Sequence, residues 1–303
     1  MPPLECVPNV SEGRRPEVVE RLVAALSGHP GAALLDASRD PDHNRSVFTL
    51  AGDAAGLEAA LLALYRVALA EIDLGRHQGV HPRVGAVDVV PFVPLGDTPM
   101  AAATAAARSL GARVAAELDL PVFLYEEAAG APHRRRLPDL RRGGPAGLAA
   151  RVAASPADWR PDFGPPRLHP TAGATIVGAR GFLIAANALL DTPDLAAAQA
   201  IARAVRTSSG GLPAVRALGL LLPSRGLAQV SMNLVDHRTT SPATAFEAVR
   251  REAARHGARV AERELIGLVP EAALAGEGEE AELLRRTWGG RTLEARLRAA
   301  ETT

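Results

Sequence analysis

The 303-residue chain contains no lysine and only one cysteine, Cys6. Without an ε-amine, no Schiff-base or lysine-nucleophile chemistry is open to it. With one thiol no intrachain disulfide can form, which fits a reducing compartment. There is no surplus of charge either: 34 basic residues, all arginine, face 34 acidic ones. The basic excess expected of a nucleic-acid binder is therefore missing. No apolar run reaches about 18 residues, so nothing here is built to cross a bilayer as a helix. The start, "MPPLECVPNV", lacks the basic-then-apolar pattern of a signal peptide. The expectation is a cytoplasmic protein with no nucleic-acid or membrane partner. What remains is a chain 47% hydrophobic and 22% charged, long enough for one large core or two ordinary domains.

Apolar periodicity alternates along the chain between two and about three and a half. "LECVPNVSE" and "AALLDASRD" read as strands, and "RPEVVERLVAALSG" between them reads as a helix stopped by Gly28. "SVFTLAGD" (strand), "AAGLEAALLALYRVALAEID" (helix) and "VDVVPFVPL" (strand) follow. Next come a helix that Thr98-Pro99 is expected to open and the strand "PVFLYEEA". Residues 130–173, rich in Pro, Gly and Arg, read as a connector holding at most short helices. The rhythm then returns. "ATIVGAR" and "FLIAANALLDT" read as strands, a helix begins near Asp194, and a strand pair turns at Arg225-Gly226. A helix from Ser241-Pro242 to Gly257 and the strand "ARVAERELIGLVP" complete the pattern.

The order β-α-β-β-α-β thus occurs twice, which predicts an α/β (α+β) protein of two ferredoxin-like subdomains, 1–180 and 181–303. Their sheets are expected to face each other with helices outside and a ligand cleft between them. The charged, Gly-interrupted stretch 276–303 is expected to be a peripheral helix or partly disordered.

Four polar stretches carry the candidate chemistry. "HQGVHPRVGAVDVVPF" places His77 and His81 four apart, but Gly79 lies between them and Pro82 biases His81 away from helical angles. That does not suit a metal pair on one helix face, and no third ligand stands nearby, so no metal is expected. Near neutrality an imidazole on a loop that enters a buried strand suits proton transfer, with Arg83 and Asp88 adjacent. "PDHNRSVFTL" offers His43, Asn44 and Arg45, donors fit for carboxylates, in a setting that is also an ordinary turn. In "ECVPNVSEG", Ser11 is a helix cap or a ligand contact, and Cys6 reads as a small buried hydrophobe. Finally, "PDFGPPRLHPTAGATIVGAR" gathers glycines and prolines without forming a dinucleotide or phosphate-loop motif.

Taken together, "LECVPNVSEG", "NRSVFTLAG", "HQGVHPRVGAVDVVPFVPL", "LPVFLYEEAA", "PDFGP", "GARGFLIAANALL", "QVSMNLVD" and "LIGLVP" resemble the glutamate formiminotransferase family, in its order, from about residue 4 to residue 275. The resemblance implies transfer of a formimino group from N-formimino-L-glutamate to tetrahydrofolate, a co-substrate, in histidine degradation. It also implies a homodimer; some members are fused to a cyclodeaminase, and at this chain's length a form without one is expected. It makes His81 the catalytic residue and assigns folate contact to the loop from Gly164 to Gly173: Pro165, Pro166, Arg167, Leu168, His169, Pro170, Thr171 and Ala172 lie between. Local chemistry adds Arg83, Arg45 and Asn44 as contacts for the substrate carboxylates. A glutamate formyltransferase and a non-catalytic folate-binding protein are the competing readings, separated by an assay with both donors.

Overall fold

The computed structural model describes residues 3–301. The chain divides after Arg180 into two compact units, each with its own sheet and core.

The first unit begins with an interrupted central strand. β1 (Leu4–Cys6) and β2 (Asn9–Val10) share the same two neighbours, β4 (Arg45–Gly52) and β5 (Val87–Pro94), and all these pairings are antiparallel. The break falls at Val7-Pro8, where proline has no N–H to give a ladder. β3 (Ala32–Asp40) pairs with the outer side of β4 through the tight 41–44 connection. The strand order β3-β4-β1/β2-β5, with α1 (Pro16–Leu26) and α2 (Ala54–Glu71) in the crossovers, is ferredoxin-like. α1 buries Val18, Val19, Leu22 and Leu26, and α2 buries Leu57, Leu61, Leu64, Tyr65 and Ala68, the three-four spacing of one helix face. The Tyr65 hydroxyl, at the bottom of this core, is satisfied by Thr175 Oγ1 at 2.7 Å.

The sheet does not stop at four positions. After α3 (Met100–Leu118), β6 (Val122–Glu126) becomes the far edge. Residues 174–180 close the first unit by supplying β7 (Thr175–Ala179), which lies between β5 and β6 and is parallel to both. α3 starts differently from expectation. Pro99 is its N-cap residue, and Thr98 Oγ1 donates to the carbonyl of Pro3 at 3.1 Å.

The stretch 130–173 is more ordered than its composition suggests: it contains α4 (Leu137–Arg141), α5 (Gly144–Ala154) and α6 (Pro156–Trp159). Leu140, Leu148 and Val152 pack with Phe123, Tyr125 and Ile176 into a small core of their own. The helix starts at Gly144 because Gly143 takes the left-handed N-cap conformation and Pro145 sits in the first turn, where its missing N–H costs nothing.

In the second unit, β8 (Ile184–Leu190), α7 (Leu195–Val205), β9 (Val215–Leu222), β10 (Leu227–Leu234), α8 (Pro242–Arg255) and β11 (Val260–Ile266) repeat the pattern. Their order is β11-β8-β10-β9, antiparallel throughout. Asp194 and Ser241 cap their helices by accepting from Ala197 N and Thr244 N. The tail forms α9 (Glu279–Trp288) and α10 (Leu293–Glu301). α9 is no mere ornament: Leu284 and Trp288 are sunk in the second core, and the indole packs edge-on to Phe246 at 5.6 Å while donating to Arg263 O. Trp288→Ala is therefore expected to destabilise the second unit by about 3–5 kcal/mol, read as a lowered urea midpoint.

Candidate active site

At one end of the first sheet, β2 and β3 finish where β4, β5 and β7 begin, because Val10 pairs with Ser46 and with Val87. Three loops leave that end: 11–15, 41–44 and 73–86. Their closeness is dictated by contacts that admit little else. A Cβ on Gly79 would sit 2.3 Å from the carbonyl of His43, so only glycine lets the two loops touch there.

Asn44 fastens all three. It adopts φ 47°, a left-handed conformation that asparagine tolerates better than most residues. From there its Oδ1 accepts from Gly13 N at 2.9 Å, its Nδ2 donates to Gln78 O at 2.9 Å, and its own carbonyl accepts from His77 Nε2 at 2.9 Å. His77 thus braces the loop; its Nδ1 is buried without a partner. Ser11 caps no helix: its hydroxyl donates to Gly85 O at 2.7 Å. α1 has no side-chain cap; Glu12 instead fixes the segment just before it, its carboxylate accepting from the amides of Arg14 and Arg15 and the guanidinium of Arg15. Burial works against that charge, but these donors outweigh it and hold the carboxyl below its ordinary pKa.

His81 is half-buried at the mouth of this corner. Its Nδ1 lies 2.8 Å from Pro82 O, and its Nε2 lies 3.0 Å from Arg45 Nη1. A carbonyl only accepts and a guanidinium only donates, so the proton is on Nδ1 and Nε2 presents a lone pair. The surroundings enforce that neutral form. Burial, then Arg45, Arg141 and His43, push the His81 pKa well below 6.5. His43 is beside it, ring centroids 5.8 Å apart. The His43 Nδ1 lies 3.6 Å from Asp40, its Nε2 is buried without a partner, and burial keeps this imidazole below its usual pKa too.

The cations here outnumber the anions. Arg45 is pulled down to about 9, chiefly by burial and then by Arg141, and remains charged at neutrality. Arg83 donates to Gly79 O at 2.6 Å. Asp88, buried on β5, accepts from Val84 N at 2.7 Å and from Arg141 Nη2. Arg141 stands at the end of α4 in the arginine-rich connector and was not singled out from sequence. A carboxylate inside the apolar run "VDVVPF" was the available signal, since a buried Asp calls for a cation.

The loop 164–173 joins this corner at its second half only. His169 and Gly173 exchange backbone hydrogen bonds of 2.8 and 2.9 Å, and His169 Nδ1 accepts from Ala172 N. The carbonyls of Thr171 and Ala172 receive Leu74 N and Ala86 N, at the two ends of the histidine loop. Gly164 lies apart, packed on Leu120, and Arg167 faces Asp119 in solvent at 3.6 Å. Among the described residues no group of three or more His, Cys, Asp and Glu side chains is arranged to hold a metal ion.

A neutral imidazole set among guanidinium groups is an arrangement that can take up a proton and attract an anion. Residues 3–180 match the model of the formiminotransferase domain's N-terminal subdomain, and residues 185–279 match that of the formiminotransferase domain. The chain is 42% identical over 276 residues to a glutamate formimidoyltransferase of Streptococcus pyogenes, covering 91% of this chain and 92% of that one. It is 44% identical to a glutamate formimidoyltransferase of Thermoplasma acidophilum, over 89% of each. A formimidoyltransferase-cyclodeaminase of Mus musculus is 42% identical over 89% of this chain, which spans 51% of that longer protein. The chain belongs to the formiminotransferase domain family.

Asn44→Gly keeps the left-handed backbone but removes the amide that ties Gly13 to Gln78, whereas Asn44→Ala adds backbone strain. The glycine variant is expected to lose about 1–3 kcal/mol of unfolding free energy. The alanine variant should lose about 1 kcal/mol more in the same denaturant titration.

Proposed function

We propose that this protein transfers the formimino group of N-formimino-L-glutamate to N5 of tetrahydrofolate, releasing L-glutamate and 5-formiminotetrahydrofolate. The names and coverage of its relatives support the reaction. The observation that carries the assignment of roles is the lone pair on His81 Nε2, held neutral among cations.

The chemistry needs three events: attack of N5 on the amidine carbon, a tetrahedral intermediate, and departure of the glutamate nitrogen. N5 must lose a proton and the departing nitrogen must gain one. His81 performs both in turn, taking the proton on Nε2 and returning it, for roughly 10²–10⁴ in rate. Holding two substrates in register supplies the larger share. Arg45 and Arg83 receive the substrate carboxylates, while Arg141, held by Asp88, adds its charge to the cationic side of the site. Asn44, its amide already engaged at both ends, serves by holding the loops rather than by touching substrate. The loop Gly164–Gly173 contacts folate, with the 169–173 turn against the histidine loop. Val80, an exposed hydrophobic residue beside His81, gives a pterin an apolar surface to lie on.

A cytoplasmic homodimer completes the reading. The single buried cysteine suits a reducing compartment, and the exposed Leu218 on the edge strand β9 offers an apolar contact. Light scattering after gel filtration is expected to give the mass of two chains.

In an assay with tetrahydrofolate, the formimino donor is expected to turn over and N-formyl-L-glutamate to be a poor substrate; the reverse preference would sink the proposal. His81→Ala should lower kcat/KM by roughly 10²–10⁴. A group that must be neutral to act, and whose pKa is depressed, stays competent as the pH falls. The acidic limb of kcat/KM is therefore expected below pH 6.5, the ordinary imidazole value, and a limb above it contradicts the site as described.

A further inference from the structure

The proposed base is occupied. Arg45 Nη1 donates to His81 Nε2 at 3.0 Å, the atom that must accept the substrate's proton, while Pro82 O holds the other ring nitrogen. An imidazole in this state has no free lone pair, so Arg45 must leave before it can act. Nothing in the corner gives the guanidinium a better place. The carboxylate of Asp88 is taken by Val84 N and Arg141. Asp40 Oδ1 accepts from the amides of Asp42 and His43, 2.8 Å each, and its Oδ2 faces His43. Arg45 Nε is buried with no partner. A buried guanidinium with its Nε unsatisfied, and whose side-chain hydrogen bond goes to a neutral ring, lacks the planar carboxylate that its fork fits best.

We propose that Arg45 caps the His81 lone pair in the free protein and is drawn off it by a carboxylate of the seated glutamate derivative, so that the base is uncovered only when an anionic donor is bound. The proposal rests on the reading of His81 as the base. A single movement has two effects. The guanidinium trades a neutral acceptor for a charged one that it can pair with through two parallel N–H bonds. The imidazole loses both its blocking donor and the nearest positive charge, which makes it a stronger base as its substrate arrives. The other charged groups around it stay in place: Arg141 from α4, held by Asp88 of β5, and His43 from the 41–44 turn beside Asp40 of β3. Arg45 is thus a positioning residue with a role in specificity. A donor without a carboxylate is penalised in kcat, because it leaves the base covered, and not in KM alone.

The test is a proton NMR titration of His81 in the intact protein, alone, with L-glutamate, and with glutaramide, which has no carboxylate. With L-glutamate the His81 pKa is expected to rise by about one unit or more, the scale on which a neighbouring charge acts. Glutaramide should leave it unchanged. In Arg45→Gln the free protein should already titrate higher and glutamate should add no further rise; Arg45→Lys, which keeps the charge without the fork, should restore the low value but only part of the glutamate effect. Formamidine, the donor stripped of its carboxylates, should gain turnover on addition of acetate in the wild type and none in Arg45→Gln. An identical His81 titration with and without L-glutamate, at any concentration up to its solubility, overturns the cap, and this arm needs no variant to fold. Failure of the base reading shows separately, as near-normal turnover by folded His81→Ala.

Discussion

Three loops at one end of the first sheet are held together by the side chain and carbonyl of a single asparagine in left-handed backbone. Asn44 reaches Gly13, Gln78 and His77, and through them it sets where the 11–15, 41–44 and 73–86 segments stand. The distances that matter for chemistry, from Arg45 to His81 and from His43 to His81, are consequences of that fastening. The sheet brings the loops to the same end, but a sheet end alone leaves loops free to splay. Close approach of Gly79 to His43 completes the restraint from the other side.

Electrostatics then decides what the corner can do. Burial and a local excess of guanidinium groups act in the same direction on His81, and both favour the neutral ring. Such an arrangement disfavours folding in isolation, since buried cations without counter-charges are costly. It is the familiar condition of a site whose missing charge arrives with the ligand. Asp88 and Arg141 show the opposite solution in the same place: a buried pair, neutral overall, that locks backbone and leaves nothing for a ligand to supply.

Much of this was legible from residues in order. The doubled β-α-β-β-α-β pattern shows because strands and helices here differ sharply in period, and because Asp194, Ser241, Gly28 and Gly257 mark helix ends in the usual way. Polar clusters ahead of strands pointed to Arg45, Asn44, His81 and Arg83. Pairing was not legible. "ATIVGAR" reads as a strand in either unit, and only long-range register places β7 between β5 and β6. Nor was α5, whose Gly-Pro start hides three helical turns. Asn44 looked like a ligand contact because turn formers and ligand contacts use the same polar atoms; which use wins depends on neighbours tens of residues away. Arg141 was invisible among its fellow arginines until Asp88 claimed it.

That claim gives the segment 130–173 a different character from a tether between two bodies. Its helix α4 is hooked to the central sheet by a buried ion pair on the strand that the histidine loop enters, and its last residues are sewn to both ends of that loop. The segment is therefore a clasp on the corner, and it sets one of the charges that act on His81. Its looseness in composition conceals a fixed address for one guanidinium.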